Sequence, residues 1–201
     1  MFIIVEGNND KDFIELCCCY WSLNNYEIAI TNGKCSSKKH KDNGIQRVAT
    51  KIEIALEKGE RVLIIFDADD NREQSLKNIH KQLDSMNSTW KSKCEIFLVP
   101  NNQDSGNLET LLEHIAKEQC ILKCFDSYIE CITKLQNQNS KIKLPAKKSK
   151  VFAYLSSFGF KNGDKNFQLN ESMLDLQHHY LKELKNFLVK GAKNVKIKNK
   201  N

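Results

Sequence analysis

The chain has 201 residues, of which 40% are hydrophobic and 28% are charged, and its formal net charge is +6. This length suits one domain with an appendage, and this composition excludes a disordered chain. The longest apolar runs have only about five residues, far fewer than the ~18 needed to cross a bilayer, so a transmembrane protein is excluded.

The first hundred residues alternate apolar runs with amphipathic segments. The β-branched apolar runs predict four buried strands, at residues 2–5, 26–30, 62–66 and 95–99. The amphipathic segments predict three helices, at residues 10–21, 45–56 and 72–86. Strands that alternate with helices indicate an α/β fold, with a four-stranded, mainly parallel sheet flanked by helices. A polar, lysine-rich loop that contains His40 is predicted at residues 35–43.

The pattern changes beyond residue 100, where no further strand is predicted. Helices are expected at residues 108–124 with a continuation towards 135, at 147–158 and at 173–188. We therefore expect three regions: an α/β core at 1–115, a helical extension packed on the core at 116–190 and a flexible basic tail at 191–201.

The charge is distributed unevenly along the chain. Residues 141–201 contain fourteen lysines and four acidic residues, a net charge of +10, which leaves −4 for residues 1–140. A basic C-terminal third beside an acidic part is typical of a protein that binds a polyanion, although a solvated lysine-rich surface has the same pattern. Lys147, Lys148 and Lys150 are the predicted nucleic-acid contacts.

The first residues of the chain and the spacing of its cysteines indicate the cellular compartment of the protein. The first residues lack the basic region of a secretory signal, and the eight cysteines are irregularly spaced without a Cys-x-x-Cys pair. We therefore expect a cytoplasmic protein with reduced, mostly buried thiols, and no membrane partner.

Two acidic motifs follow predicted strands. Glu6 follows the first strand, with Gly7 and Asp10 after it, and Asp67 and Asp69 follow the third. Ligands bind beyond the carboxyl ends of parallel strands, so these acids are expected at one site. Converging carboxylates repel one another unless a cation lies among them, and such hard oxygen ligands suit Mg²⁺ or Mn²⁺. In extended backbone Asp67 and Asp69 would point the same way and reach one ion.

Structural roles also explain some of these acids. Asp10 could be a helix N-cap, and Asp70 with Asn71 could form a turn and a cap. Neither role explains an acid at the end of two separate apolar strands. Glu109 is expected in the first turn of the next helix. It either belongs to the same site or stabilises that helix through a favourable interaction with the helix dipole.

The two motifs resemble those of the Toprim domain of topoisomerases, primases and small nucleases. In that domain, too, a strand ends in Glu-Gly, as at residues 6–7, and a later strand ends in Asp-x-Asp, as at residues 67–69. The sequence of residues 6–10, Glu-Gly-Asn-Asn-Asp, is similar to that in the Toprim domains of OLD-type nucleases. In those domains the acid four residues after the glutamate also helps to hold metal. Residues 106–112 resemble the glycine–glutamate element of an uncharacterised stand-alone Toprim family. The resemblance covers residues 1–115, and 145–190 more loosely, and implies a Toprim (Rossmann-like) fold.

The resemblance implies a metal-dependent nuclease that hydrolyses phosphodiester bonds in DNA or RNA. Topoisomerases and primases need further domains for which the rest of the chain leaves no room, whereas a stand-alone nuclease like the small Toprim ribonucleases fits. Glu6, Asp67 and Asp69 would be catalytic, and the same three with Asp10 and Glu109 would hold Mg²⁺ or Mn²⁺. The chain lacks a Gly-x-x-x-x-Gly-Lys-Ser/Thr loop, so the ATPase of OLD-type enzymes would be a separate partner.

Two other functions stay open. A non-catalytic Toprim subunit that binds metal or nucleic acid within a larger complex would retain the same carboxylates. A haloacid-dehalogenase-like phosphatase also uses Asp-x-Asp after an apolar strand, with the first Asp as phosphoryl acceptor. That phosphatase would not need the strand that ends in Glu6.

Overall fold

The core is a four-stranded sheet in which all strands are parallel. The computed structural model describes residues 1–31, 44–161 and 167–193. The strands are β1 (Phe2–Val5), β2 (Glu27–Ile30), β3 (Val62–Asp67) and β4 (Cys94–Val99), in the spatial order β2-β1-β3-β4. The predicted α/β, Rossmann-like fold with a helix-flanked sheet is therefore confirmed.

Eight α-helices lie within the described residues. They are α1 (Asn8–Tyr20), α2 (Ala49–Glu57), α3 (Arg72–Met86), α4 (Trp90–Lys93), α5 (Leu108–Ile115), α6 (Gln119–Gln138), α7 (Ser149–Ser156) and α8 (Lys182–Lys193). Short 3₁₀ segments precede two of them, at Gly44–Val48 before α2 and His179–Leu181 before α8. None of these helices combines the length and the apolar composition that crossing a membrane requires.

The strand order creates a switch point between β1 and β3. These two strands pair directly, with Ile4 beside Ile64 and Val5 beside Ile65. After β1 the chain crosses towards β2, whereas after β3 it crosses in the opposite direction towards β4. A crevice forms at the carboxyl ends of two neighbouring strands whose connections diverge in this way. The fold therefore opens its crevice where β1 and β3 end.

The helices α2 and α3 cover one face of the sheet. Alternate strand residues such as Ile4, Ile64 and Phe66 pack there against Ile52 of α2 and Ile79 of α3. The connection through α1 runs in the opposite direction to those through α2 and α3. The right-handed crossover rule therefore puts α1 on the other face.

The helix α8 packs on that second face. The rings of Phe187 and Phe97 lie 5.4 Å apart between centroids. Arg61 Nη1 donates to the Lys190 carbonyl oxygen at 2.8 Å, which ties the end of α8 to the start of β3. At Gly191 the helix approaches so closely that an added Cβ would lie 2.5 Å from Leu63 Cδ1.

Replacing Gly191 with alanine is therefore expected to lower the free energy of unfolding by ~1–3 kcal/mol, because Leu63 is fully buried and has no room to move. Urea denaturation measures the change. An alanine at an open helical position would instead raise that free energy by up to ~1 kcal/mol, so stabilisation would contradict the close packing. Repeating the substitution in a Leu63→Val background, which removes the contacting methyl group, should reduce its cost.

The chain divides into two compact units. One comprises Met1–Leu111 with the segment from Gln177 onward, and the other comprises Leu112–Leu176. The sequence assigned residues 116–190 to one helical extension, but α8 belongs to the unit that contains the sheet.

The helix predicted over residues 173–188 is wrong in its first half, and contacts within the second unit explain why. Leu174 forms an isolated bridge with Ala116, and the Asp175 N–H donates to the Ile115 carbonyl oxygen at 2.7 Å. The buried Tyr154 hydroxyl also donates to the Met173 carbonyl oxygen. The backbone of this segment thus bonds to residues far from it in the sequence instead of to its own next turn, so residues 173–175 are held in a non-helical conformation. The same bridge accompanies the break that separates α5 from α6.

The described cysteines are free thiols, but most of them are not buried. Cys17, Cys18 and Cys94 are buried, whereas four others lie exposed on helices, at positions 19, 120, 124 and 131. The expectation of mostly buried thiols is therefore wrong for this part of the chain. Of the tail predicted at 191–201, residues 191–193 belong to α8, where Gly191 is buried. The rest of that tail, and the loop predicted at 35–43 with His40, lie outside the described residues.

Candidate functional site

Glu6 and Asp67 meet at the switch point of the sheet. Glu6 directly follows β1, and Asp67 is the last residue of β3. The Asp67 N–H donates to Glu6 Oε1 at 3.2 Å. The N–H of Leu108, at the start of α5, donates to Asp67 Oδ1 at 3.0 Å. The two half-buried carboxylates are thus held at adjoining strand ends by backbone donors.

Asp10 and Glu109 belong to the same acidic cluster. Each lies in the first turn of its helix, Asp10 in α1 and Glu109 in α5. The Asp10 carboxylate accepts a hydrogen bond from the Gly7 N–H at 2.9 Å, so Gly7 is the N-cap and Asp10 is not. We call Glu6, Asp10, Asp67 and Glu109 the acidic cluster.

Burial and neighbouring charges raise the pKa of carboxyl groups in the acidic cluster. Burial raises the pKa of the Asp67 carboxyl from 3.8 to about 8, and the charges of Asp10, Glu6 and Glu109 add to the rise. The hydrogen bond from the Leu108 N–H opposes these effects only in part. Burial also raises the pKa of Asp10, with a further contribution from Glu109. A cation placed among these groups would favour their ionised forms.

Asp69 lies apart from the arrangement that the sequence predicted. The expectation of extended backbone is wrong there, because Asp69 has a φ of 53° and its carbonyl oxygen accepts a hydrogen bond from the Gly106 N–H at 2.8 Å. This bridge turns the chain after Ala68, and Asp69 is exposed. Asn71 has the predicted capping role, since its side chain accepts a hydrogen bond from the Gln74 N–H at 3.0 Å.

The chemistry of the acidic cluster fits Mg²⁺ or Mn²⁺ with few protein ligands. Among residues 1–31, 44–161 and 167–193, no three His, Cys, Asp or Glu side chains are positioned to share one metal ion. The five-residue ligand set expected from the sequence is therefore not assembled around one point. Mg²⁺, however, commonly binds through one or two carboxylates and completes its shell with waters and substrate phosphates. Glu6 and Asp67 suit that mode.

A pocket of about 310 Å³ opens beside the two carboxylates. One side of α3 borders this pocket, and it was not predicted from the sequence. Its residues there follow one helical face, at three- and four-residue spacing, and that spacing was the signal that could have identified them. The lining comprises Glu6, Thr31, Gly44, Phe66, Asp67, Asp69, Ser75, Asn78, Ile79 and Gln82.

The three lysines predicted to contact nucleic acid lie in the second unit. Lys150 Nζ is 2.7 Å from Asp126 Oδ1 and 3.6 Å from Glu113 Oε2, so a phosphate there would compete with two carboxylates. Lys148 Nζ lies 5.8 Å from the centroid of the Phe152 ring. Lys147 and Lys148 are exposed and more accessible to a polyanion than Lys150.

One known protein family matches nearly the whole chain. Residues 1–192 match the family model DUF3226, described as a protein of unknown function. The searches of curated proteins and of solved structures found no match. The match spans the sheet, the acidic cluster and the second unit, and the chain belongs to the DUF3226 family.

Proposed function

We propose that this protein is a metal-dependent nuclease that hydrolyses phosphodiester bonds in DNA or RNA, as the resemblance to Toprim domains implies. The observation that carries the proposal is the meeting of Glu6 and Asp67 at the switch point of the sheet, inside the acidic cluster. Burial and mutual repulsion of these carboxylates favour a divalent cation. The adjoining pocket supports the proposal because it has room for part of a nucleotide beside the carboxylates.

The residues of the site have distinct roles in the proposed reaction. A bound divalent cation would polarise the scissile phosphate and lower the pKa of a water. Asp67 would hold the cation, fixed by the hydrogen bond from the Leu108 N–H. Glu6, oriented by the Asp67 N–H, would either complete the cation's ligand shell or take the proton of the attacking water. The water oxygen would form the new bond to phosphorus as the bond to the leaving oxygen breaks. The leaving oxygen would gain a proton from solvent, and the proton of the attacking water would go to Glu6 or, if Glu6 binds the cation, to solvent.

Nucleic acid would be held mainly by charge. Lys147 and Lys148 would contact phosphates because both side chains are exposed, and Lys150 would do so in competition with its ion pairs to Asp126 and Glu113. Binding through lysines releases counterions, so the affinity should fall steeply as the salt concentration rises.

Incubating the purified protein with single- and double-stranded DNA and RNA tests the proposal. Cleavage is expected with Mn²⁺ and is expected to stop when EDTA replaces it. Binding of nucleic acid without cleavage of any of the four substrates would contradict the nuclease and would favour a non-catalytic subunit. Hydrolysis of phosphomonoesters alone would favour a phosphatase.

A further inference from the structure

One face of α3 forms a wall of the pocket beside the acidic cluster. The Ser75 hydroxyl donates to the Ala68 carbonyl oxygen at 2.9 Å, which fixes α3 to the chain just beyond β3. Phe66 and Ile79 are buried and provide an apolar part of the lining. Asn78 and Gln82, one helical turn apart, provide a polar part. This combination of apolar surface with a few placed polar groups is typical of a small-molecule binding site.

The two amide side chains of this wall present hydrogen-bond donors. The Gln74 side-chain N–H donates to Asn78 Oδ1 at 2.9 Å, and the Ile45 N–H donates to Gln82 Oε1 at 3.2 Å. Each amide oxygen already accepts one hydrogen bond, and each side chain also has an NH₂ group with two donors. Because both residues line the pocket, an occupant with acceptor atoms would find donors in its wall. Carbonyl oxygens and ring nitrogens on the edges of nucleobases are suitable acceptors.

We propose that this pocket binds the unpaired nucleobase next to the scissile phosphate, and that the substrate is single-stranded nucleic acid. This inference rests on the proposed nuclease function. The pocket is lined by Glu6 and Asp67 as well as by Asn78 and Gln82, so one nucleotide can place its phosphate near the carboxylates and its base against the amides. A base within a duplex is stacked and paired, and it enters such a pocket only after it has been unstacked and unpaired.

Calorimetric titration with small ligands in the presence of Mn²⁺ tests base binding directly. The probes are the four nucleoside 5′-monophosphates and ribose 5-phosphate, which has the sugar and phosphate without a base. The wild-type protein is expected to bind at least one nucleotide ~10-fold more tightly than ribose 5-phosphate, because the base adds hydrogen bonds and apolar contact. The Asn78→Leu variant is expected to lose most of this difference. If all four nucleotides bind the wild type no more tightly than ribose 5-phosphate, the inference is overturned.

An amide at a matched position serves as the control for this titration. Asn186 is exposed on α8, which covers the opposite face of the sheet. Asn186→Leu should therefore leave the preference for nucleotides unchanged. Asn78 is itself exposed on a helix, and leucine favours helices, so Asn78→Leu should fold normally. A preference for nucleotides that survives in Asn78→Leu would also overturn the inference.

Cleavage assays separate this inference from the nuclease proposal. Single-stranded oligonucleotides should be cut at least ~10-fold faster than the same sequence in a duplex, because a base in a duplex must first be unstacked and unpaired. Equal rates on the two substrates would refute the inference and leave the nuclease intact. Tight nucleotide binding without any cleavage would refute the nuclease and leave the pocket as a nucleotide site.

Discussion

Replacing Glu6 with glutamine is expected to slow Mn²⁺-dependent cleavage by at least ~10³-fold, because the charge that binds the cation or accepts the proton is removed. Glutamine keeps an oxygen that can accept the hydrogen bond from the Asp67 N–H, so the strand ends should stay in place. Asp67→Asn should have an equally large effect for the same reason. Gel assays of cleavage under matched Mn²⁺ concentrations measure the rates.

Two further variants make this prediction specific. Asp69→Asn should slow cleavage much less, because Asp69, although it lines the pocket, is exposed and is not one of the charges that raise the pKa of Asp67. Glu53→Gln, which removes an exposed acid from α2, should leave the rate unchanged. Nucleic-acid binding should stay within about twofold of the wild type in all four variants, since the proposed phosphate contacts are lysines. A wild-type cleavage rate in Glu6→Gln would refute the catalytic assignment.

Asp67 should also make the stability of the protein depend on pH. Its pKa is about 8 in the folded protein against an ordinary value of 3.8, so folding takes up a proton between these pH values. The contribution of Asp67 to the free energy of unfolding in chelating buffer should therefore be fully present below about pH 4 and fall as the pH rises towards 8. The loss due to Asp67 should be on the order of 3–5 kcal/mol.

Denaturation of wild type and Asp67→Asn across this pH range isolates the effect. Asparagine does not ionise and can still accept the hydrogen bond from the Leu108 N–H, so the variant should be the more stable protein at pH 8. Adding Mn²⁺ at pH 8 should stabilise the wild type and leave the variant nearly unchanged. Parallel pH profiles for the two proteins would show that Asp67 does not titrate as its surroundings imply.

The strands could be predicted from the sequence because parallel strands are buried on both faces. The runs at Phe2–Val5 and Val62–Asp67 are almost wholly apolar, and each is bounded by charged or polar residues that end it. The same reasoning located Glu6 and Asp67, because a parallel sheet brings the carboxyl ends of its strands to one edge. Whether these two acids lie close together depends only on which strands are neighbours in the sheet. The alternation of strands and helices limits the possible strand orders.

The remaining parts of the site depend on contacts between residues far apart in the sequence. The position of Asp69 follows from its bridge to Gly106, and nothing near Asp69 in the sequence indicates that partner. The prediction of a helix at 173–188 is wrong in its first half for the same reason, because Leu174 pairs with Ala116, which is distant in the sequence. The pocket side of α3 was not predicted, since Asn78 and Gln82 become pocket residues only when the helix is docked on the sheet.

The position of α8 has a consequence for how the protein is made. The sheet and its covering helix belong to one unit, yet the 65 residues of Leu112–Leu176 are synthesised between them. At ~5–20 residues per second, a ribosome needs roughly 3–13 s to add those residues. During that interval Leu63 and Phe97 lack the helix that covers them in the folded protein, so the nascent chain exposes a hydrophobic surface that favours aggregation. The nascent chain is therefore expected to need protection by a chaperone until α8 has been synthesised and packs on the sheet.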